Sequence, residues 1–151
     1  MTRLGQMDFI RKHIDLYRRD PEKAHMWDSS PGGGPGILPT LLLTTTGRKS
    51  GEPRDVPLIY GEWGEKGEGF YVVVASRGGA PTHPVWFLNL EAEPQCELQV
   101  STKHVRARAR VIEGAERERL WKRMAEIYPP YDEYQERAGA RAIPVVALEP
   151  R

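Results

Sequence analysis

LLLTTTGRKSGEPRDVPLIY, residues 41 to 60, sets two runs of strand composition around a short turn that contains two glycines. Leucine, threonine, valine and isoleucine suit a pleated, half-buried surface, and Gly47 and Gly51 with Pro53 mark where the chain reverses. The stretch therefore predicts an antiparallel pair, Thr40 to Thr46 and Val56 to Glu62. A third strand, Gly69 to Ala75, follows through the Gly-rich WGEKGEG and makes the three a meander. Further along, Val105, Ala107, Ala109 and Val111 alternate with His104, Arg106, Arg108 and Arg110, so Lys103 to Val111 is a strand with one apolar and one basic face. It pairs with Gln95 to Val100, and PVVALEP supplies a last strand.

Helical spacing appears in three places. Phe9, Ile10, His13, Ile14 and Tyr17 recur every three or four residues between Met7 and Arg19, with Arg11, Lys12, Arg18 and Arg19 on the other side. VWFLNLEAEP after Pro84 makes a short helix, and Leu120, Trp121, Met124, Ala125 and Ile127 give a stripe over Ala115 to Ile127 that would lie on the sheet. YPPYDEY interrupts that stripe, and a weak helical stretch follows around Glu133 to Arg137. Residues 28 to 39, rich in Gly and Pro, read as loop. The sum, about six strands and three to four flanking helices joined mostly by short turns, is an α+β fold built on a small antiparallel barrel.

Size and composition limit what such a fold can do. The 151 residues fit a single core, and 22 Lys and Arg against 21 Asp and Glu remove any attraction to polyanions over the whole surface. Binding of nucleic acid through the Arg106 face is disfavoured, because no stacking aromatic lies between those arginines. One cysteine excludes an intrachain disulfide, and the four histidines lack metal-ligand spacing. GxSxG, HExxH, a P-loop and a GxGxxG after a strand are all missing. No apolar run reaches the ~18 residues of a membrane span, and the start MTRLGQMDFIRKHIDL lacks a signal core, so a cytoplasmic location is expected.

Three segments remain where chemistry could reside. Residues 44 to 54, TTTGRKSGEPR, offer hydroxyls, main-chain N–H groups and the cations Arg48, Lys49 and Arg54 against one acid, Glu52. That combination suits a phosphate, although a solvated hairpin has the same composition. Residues 75 to 86, ASRGGAPTHPVW, run from a strand through Ser76, Arg77, Gly78 and Gly79 toward a helix, where a flat anionic ligand can approach the backbone closely. A plain strand-to-helix connection also needs such glycines. Tyr128, Tyr131 and Tyr134 come at steps of three and would form either a pocket wall or part of a core.

LLLTTTGRKSGEPRDVPLIY, YVVVASRGGAPTHPVWFLNLEAEP and IYPPYDEY with IPVVALEP, taken together and in this order, resemble the deazaflavin-dependent nitroreductase family, whose members use coenzyme F420. The resemblance covers roughly residues 37 to 150. It implies a split β-barrel related to flavin-binding oxidoreductases, with residues 37–151 as the deazaflavin-binding domain and residues 1–36 as an added helix and Gly/Pro loop. It implies that Arg48, Lys49, Ser50 and Arg54 grip the cofactor's phosphate and that Pro57 lines its tail. Val74, Ala75, Ser76, Arg77, Gly78 and Gly79, then Val85, Trp86 and Asn89, would hold the ring. Tyr128, Tyr131 and Tyr134, with Ile59 where some relatives carry an aromatic residue, would face the substrate.

On this reading the protein passes a hydride from reduced F420 to a quinone or to a nitro-aromatic or other conjugated acceptor. Tyr131, Tyr134 or the Ser76 hydroxyl would hydrogen-bond the acceptor or supply a proton. FMN in the same barrel, and a non-catalytic carrier of deazaflavin or tetrapyrrole, are the alternatives. The basic side of the first helix faces solvent, the cofactor's tail or an anionic membrane surface. Both a monomer and a homodimer agree with the sequence.

Overall fold

Eight strands and five α-helices make up residues 3–64 and 69–151, which a computed structural model of the chain describes. The first helix, α1 (Arg3–Arg19), leads into a short α2 (Pro21–His25) and a strand β1 (Met26–Asp28). The barrel strands are β2 (Ile37–Thr46), β3 (Pro53–Ile59), β4 (Gly61–Trp63), β5 (Phe70–Val74), β6 (Gln95–Val100), β7 (Lys103–Val111) and β8 (Val145–Pro150). Three more helices flank them: α3 (Val85–Ala92), α4 (Gly114–Ile127) and α5 (Pro130–Ala138). Residues 65–68 of the expected WGEKGEG connection lie outside the described residues, as do Met1 and Thr2.

Every ladder is antiparallel, in the order β3-β2-β6-β7-β8-β5-β4. The two ends of that order are consecutive in sequence. Bent at Tyr60, a single run of chain pairs with β2 through Leu58↔Leu41 and then with β5 through Gly61↔Val72, which curls the sheet into a split barrel. Leu41, Leu43, Val73, Leu98, Ala107, Val146 and Leu148 fill its interior. Each such fully buried aliphatic side chain stabilises the fold by about 1.5–3 kcal/mol. Trp86, Phe87 and Leu90 place α3 in the same cluster as a plug.

β5 and β8 are covered on both faces. Val72, Val74, Val145 and Ala147 point outward, where Leu120 and Met124 of α4 and Tyr131 and Ala138 of α5 bury them. For that reason FYVVV and PVVAL run apolar without alternating, whereas β7, wet on one side, alternates. On the outside of β2, Tyr17 and Ala24 pack against Leu42.

The structure differs from the sequence expectations at four places. The α1 helix starts at Arg3 rather than Met7, and β3 and β4 are separate strands rather than one from Val56 to Glu62. Residues 28 to 39 are not all loop: β1 pairs with the start of β2 through Trp27↔Leu38, and Ser29 N–H donates to Gly36 O at 2.8 Å. YPPYDEY begins a full helix rather than ending one, since Pro129 and Pro130 occupy the cap and first position of α5, where a missing N–H costs nothing.

Cys96, on β6, donates its thiol to Ala107 O at 3.6 Å. Burial pushes that thiol up to about 12. A thiol-specific reagent at mildly alkaline pH should therefore spare native Cys96 and label it in denaturant; equal labelling rates would contradict this.

Candidate functional site

β2 and β3 separate after Thr46↔Pro53, and the connecting turn projects past the edge of the sheet. Gly47 N–H donates to Glu52 O at 2.8 Å, and Gly51, at φ +74°, closes the turn in the left-handed region. Asn89 of α3, only 1% exposed, ties this turn to the plug helix. Its Oδ1 accepts from Arg48 N–H at 3.1 Å and its Nδ2 donates to Thr45 Oγ1 at 3.1 Å.

At the end of β5 the chain enters a second unusual turn. Ser76 is right-handed helical (φ −76°, ψ −40°), and Arg77, Gly78 and Gly79 follow with φ of 47°, 62° and 81°. This ledge rests on α5: a Cβ on Gly79 would lie 2.6 Å from Tyr134 O. The same helix carries two of the three tyrosines, and Tyr128 closes α4 beside them.

Between β3, the ledge, α3 and the tyrosines lies a cleft of about 640 Å³. Of the residues expected to hold a cofactor, Arg54, Pro57, Val74, Ser76, Arg77, Gly78, Val85, Trp86 and Asn89 line it. Ile59, Tyr128, Tyr131 and Tyr134 line it as well. Arg48, Lys49 and Ser50 do not; they stand on the exposed turn beyond its end, where Ser50 Oγ accepts from Glu52 N–H at 3.1 Å. Ala75, fully buried, belongs to the barrel interior, and Gly79 packs on α5.

The three tyrosines are not equivalent. Tyr128 donates its hydroxyl to Gly32 O at 2.9 Å, and the Tyr134 hydroxyl lies 3.0 Å from that of Tyr128. Among the described residues the Tyr131 hydroxyl has no partner, although its ring is packed 4.8 Å from the ring of Tyr128. Burial raises the Tyr131 phenol above the usual range, with the two neighbouring phenols adding to the shift, so it stays protonated and able to donate.

Two groups of lining residues were not singled out from the sequence as site residues. Phe9, Ile10, His13 and Trp27 form a wall from the N-terminal arm. The His13 ring stacks on Trp27 at 3.7 Å, and its Nε2 lies 3.0 Å from Ala24 O. Helical spacing found Phe9, Ile10 and His13, but nothing in it says that their face borders a cleft. Asp55 also lines the cleft; it accepts from Thr44 Oγ1 at 2.6 Å and pairs with Arg18, which takes that arginine off the solvent face. The basic face of β7 is partly neutralised, since Arg110 pairs with Glu116 at 2.8 Å and Glu149 at 3.2 Å. Among the described residues no cluster of side chains suits a metal ion.

The donor set fits an elongated anionic dye: cations at one end, and at the other flat apolar Val85 and Trp86 beside a ledge. Among the described residues nothing accepts from the N–H groups of Ser76, Arg77 and Gly78 on that ledge. Comparison with known proteins points the same way. An F420H(2)-dependent quinone reductase of Mycobacterium tuberculosis is 39% identical over 120 residues, covering 78% of this chain and 77% of that one. A solved F420-H2 dependent reductase, FDR-A, is 46% identical, covers 73% of this chain and 93% of its own, and superposes with a TM-score of 0.63. A second solved relative, a domain-swapped dimer, is 38% identical with a TM-score of 0.66, covering 95% of this chain and 99% of its own. The model of one family matches residues 10–150, nearly the whole barrel together with most of its N-terminal arm, and by that match the chain belongs to the F420H(2)-dependent quinone reductase family.

Proposed function

We propose that this chain binds reduced F420 with its anionic tail toward the turn at residues 48–54 and its ring on the ledge, and reduces a quinone held against Tyr131. The observation that carries the reading is that the strand bearing Arg54, the ledge and the tyrosines border one cleft. When bound, F420 supplies the hydride. The residues around it have simpler tasks: Val85 and Trp86 give the ring a flat apolar support, and the aromatic wall of Phe9, His13 and Trp27 keeps water from one side of the cleft. Tyr131 donates a hydrogen bond to the acceptor oxygen on which negative charge gathers. FMN and a carrier role are the weaker readings, given the family of the chain.

The test is an anaerobic assay of reduced F420 with menadione, followed by the visible absorbance of the oxidised dye. Titration with FMN under the same conditions should give no comparable binding. Lys49→Ala and Arg54→Ala should each raise the dissociation constant for F420 roughly tenfold at low salt, with the loss shrinking as salt is added. Unchanged affinity in both would place the tail elsewhere.

Assembly and location follow the same reading. One solved relative is a domain-swapped dimer, and here the segment SSPGGGPG, residues 29 to 36, joins the N-terminal arm to β2 as a natural hinge for such an exchange. Light scattering on the purified chain would show twice the monomer mass. Among the described residues no helix is long and apolar enough to cross a membrane. Exposed Met7, Ile10, Arg11 and Arg19 on α1 form the surface for peripheral contact with anionic lipid, tested by sedimentation with anionic vesicles.

A further inference from the structure

Arg141 lies outside every motif in the sequence and does not border the cleft. Its guanidinium is nevertheless the most heavily used side chain around the ledge. Nε donates to Ala80 O at 2.8 Å, Nη2 to Ser76 O at 2.7 Å, and Nη1 both to Ala75 O at 3.1 Å and to His83 Nδ1 at 2.9 Å. The backbone around Arg141 is fixed in turn: its N–H donates to Ala138 O at 3.2 Å, and its own carbonyl accepts from Gln135 at 2.9 Å. Among the described residues it forms no ion pair.

The consequence follows from peptide geometry. In a trans peptide the C=O of one residue and the N–H of the next point in opposite directions. With the Ala75 and Ser76 carbonyls both turned toward Arg141, the N–H groups of Ser76 and Arg77 are turned away from it, and it is the Ser76 to Gly78 stretch that borders the cleft. A right-handed residue followed by a left-handed one, here Ser76 and Arg77, makes successive N–H groups converge on one point, which suits an anionic or carbonyl oxygen. None of the described residues accepts from those three N–H groups. Left to itself Arg77, which is not a glycine, would leave the left-handed region, so the turn needs an external brace.

We infer that Arg141 is a positioning residue: a strut behind the ledge that fixes three carbonyls so that the N–H groups of residues 76–78 form a concave cradle for an oxygen of the bound ring. This rests on the F420 reading above. The guanidinium fork is needed for its reach to three carbonyls, and an ammonium in its place would meet one of them.

The experiment uses the full chain and oxidised F420. Arg141→Gln should raise the dissociation constant on the order of tenfold or more, and Arg141→Lys should stay within about threefold of that value. Ser76→Pro removes one cradle N–H at a φ of −76° that proline accepts; it should weaken binding about tenfold with an unchanged thermal midpoint, an effect that a merely structural role does not give. Hydrogen exchange supplies a readout that needs no dye. The Gly79 and Ala80 amides, which bond Ser76 O and Arg77 O, should exchange faster in Arg141→Gln than in the wild type. Full recovery of affinity by lysine, or unchanged exchange and affinity in Arg141→Gln, would overturn the inference. Should Arg141→Gln fail to fold, tight binding by Ser76→Pro overturns it equally. A wild-type chain that ignores F420 sinks the functional reading instead, and the exchange comparison still decides whether Arg141 braces the turn.

Discussion

Gly79→Ala is expected to destabilise the fold by about 2–4 kcal/mol, lowering the thermal midpoint by roughly 5–15 °C. Two costs add. Gly79 sits at φ +81°, where a side chain costs about 1–2 kcal/mol. Its new Cβ would also stand 2.6 Å from Tyr134 O and 2.9 Å from Tyr134 Cα, backbone atoms of a packed helix that cannot swing aside. Gly78→Ala separates the two costs, because Gly78 has a similar φ of +62° but open space around it, and should lose only about 1–2 kcal/mol. Paired urea melts read the difference directly. Equal losses at the two positions would mean that the ledge and α5 are not in the close contact described. The effect also reaches the cleft, since any shift of α5 away from residue 79 moves Tyr131 and Tyr134 relative to Ser76.

Legibility in the sequence followed how many faces of an element are wet. β7 has one basic and one buried face, so its alternation gave both bounds and orientation, and its partner β6 followed from it. β5 and β8 are buried on both sides; they show only composition, which located them without saying which valines face the barrel. β1 has three residues and pairs with the start of β2 across a Gly/Pro loop, so its only signal is a contact distant in sequence. α5 was obscured because Pro129 and Pro130 read as a stop, although proline is as much at home in a first turn. The site divides along the same line. Its turn and its ledge carry glycines and cations that mark them locally, and their placement on one cleft was implied by resemblance. Neither Arg141 nor the wall of His13 and Trp27 has a local mark: the first acts through carbonyls 58 to 66 positions away, and the second is a stack of residues from a helix and a strand.

Tyr131→Phe is expected to reduce kcat for a quinone about a hundredfold while leaving the dissociation constant for F420 within about twofold of the wild type. The reason lies in how the three hydroxyls are used. Tyr128 is committed to Gly32 O and Tyr134 to the same small network, whereas the Tyr131 hydroxyl has no partner among the described residues and belongs to a ring that lines the cleft. A donor in this position contributes most as charge builds on the acceptor oxygen, since the surrounding rings and apolar side chains screen it little. Tyr134→Phe should cost less, because Tyr128 keeps its bond to Gly32 O without it. The sign with pH follows from the raised phenol: Tyr131 remains a donor up to at least pH ~10, so its contribution is constant through neutrality and is lost only above the ordinary tyrosine range. A wild-type kcat profile that falls near neutral pH and flattens in Tyr131→Phe would show this hydroxyl to be ionised where burial should keep it neutral. A phenylalanine variant with an unchanged kcat would show that the acceptor's charge is met by another group, and the Ser76 hydroxyl across the cleft would be the next to remove.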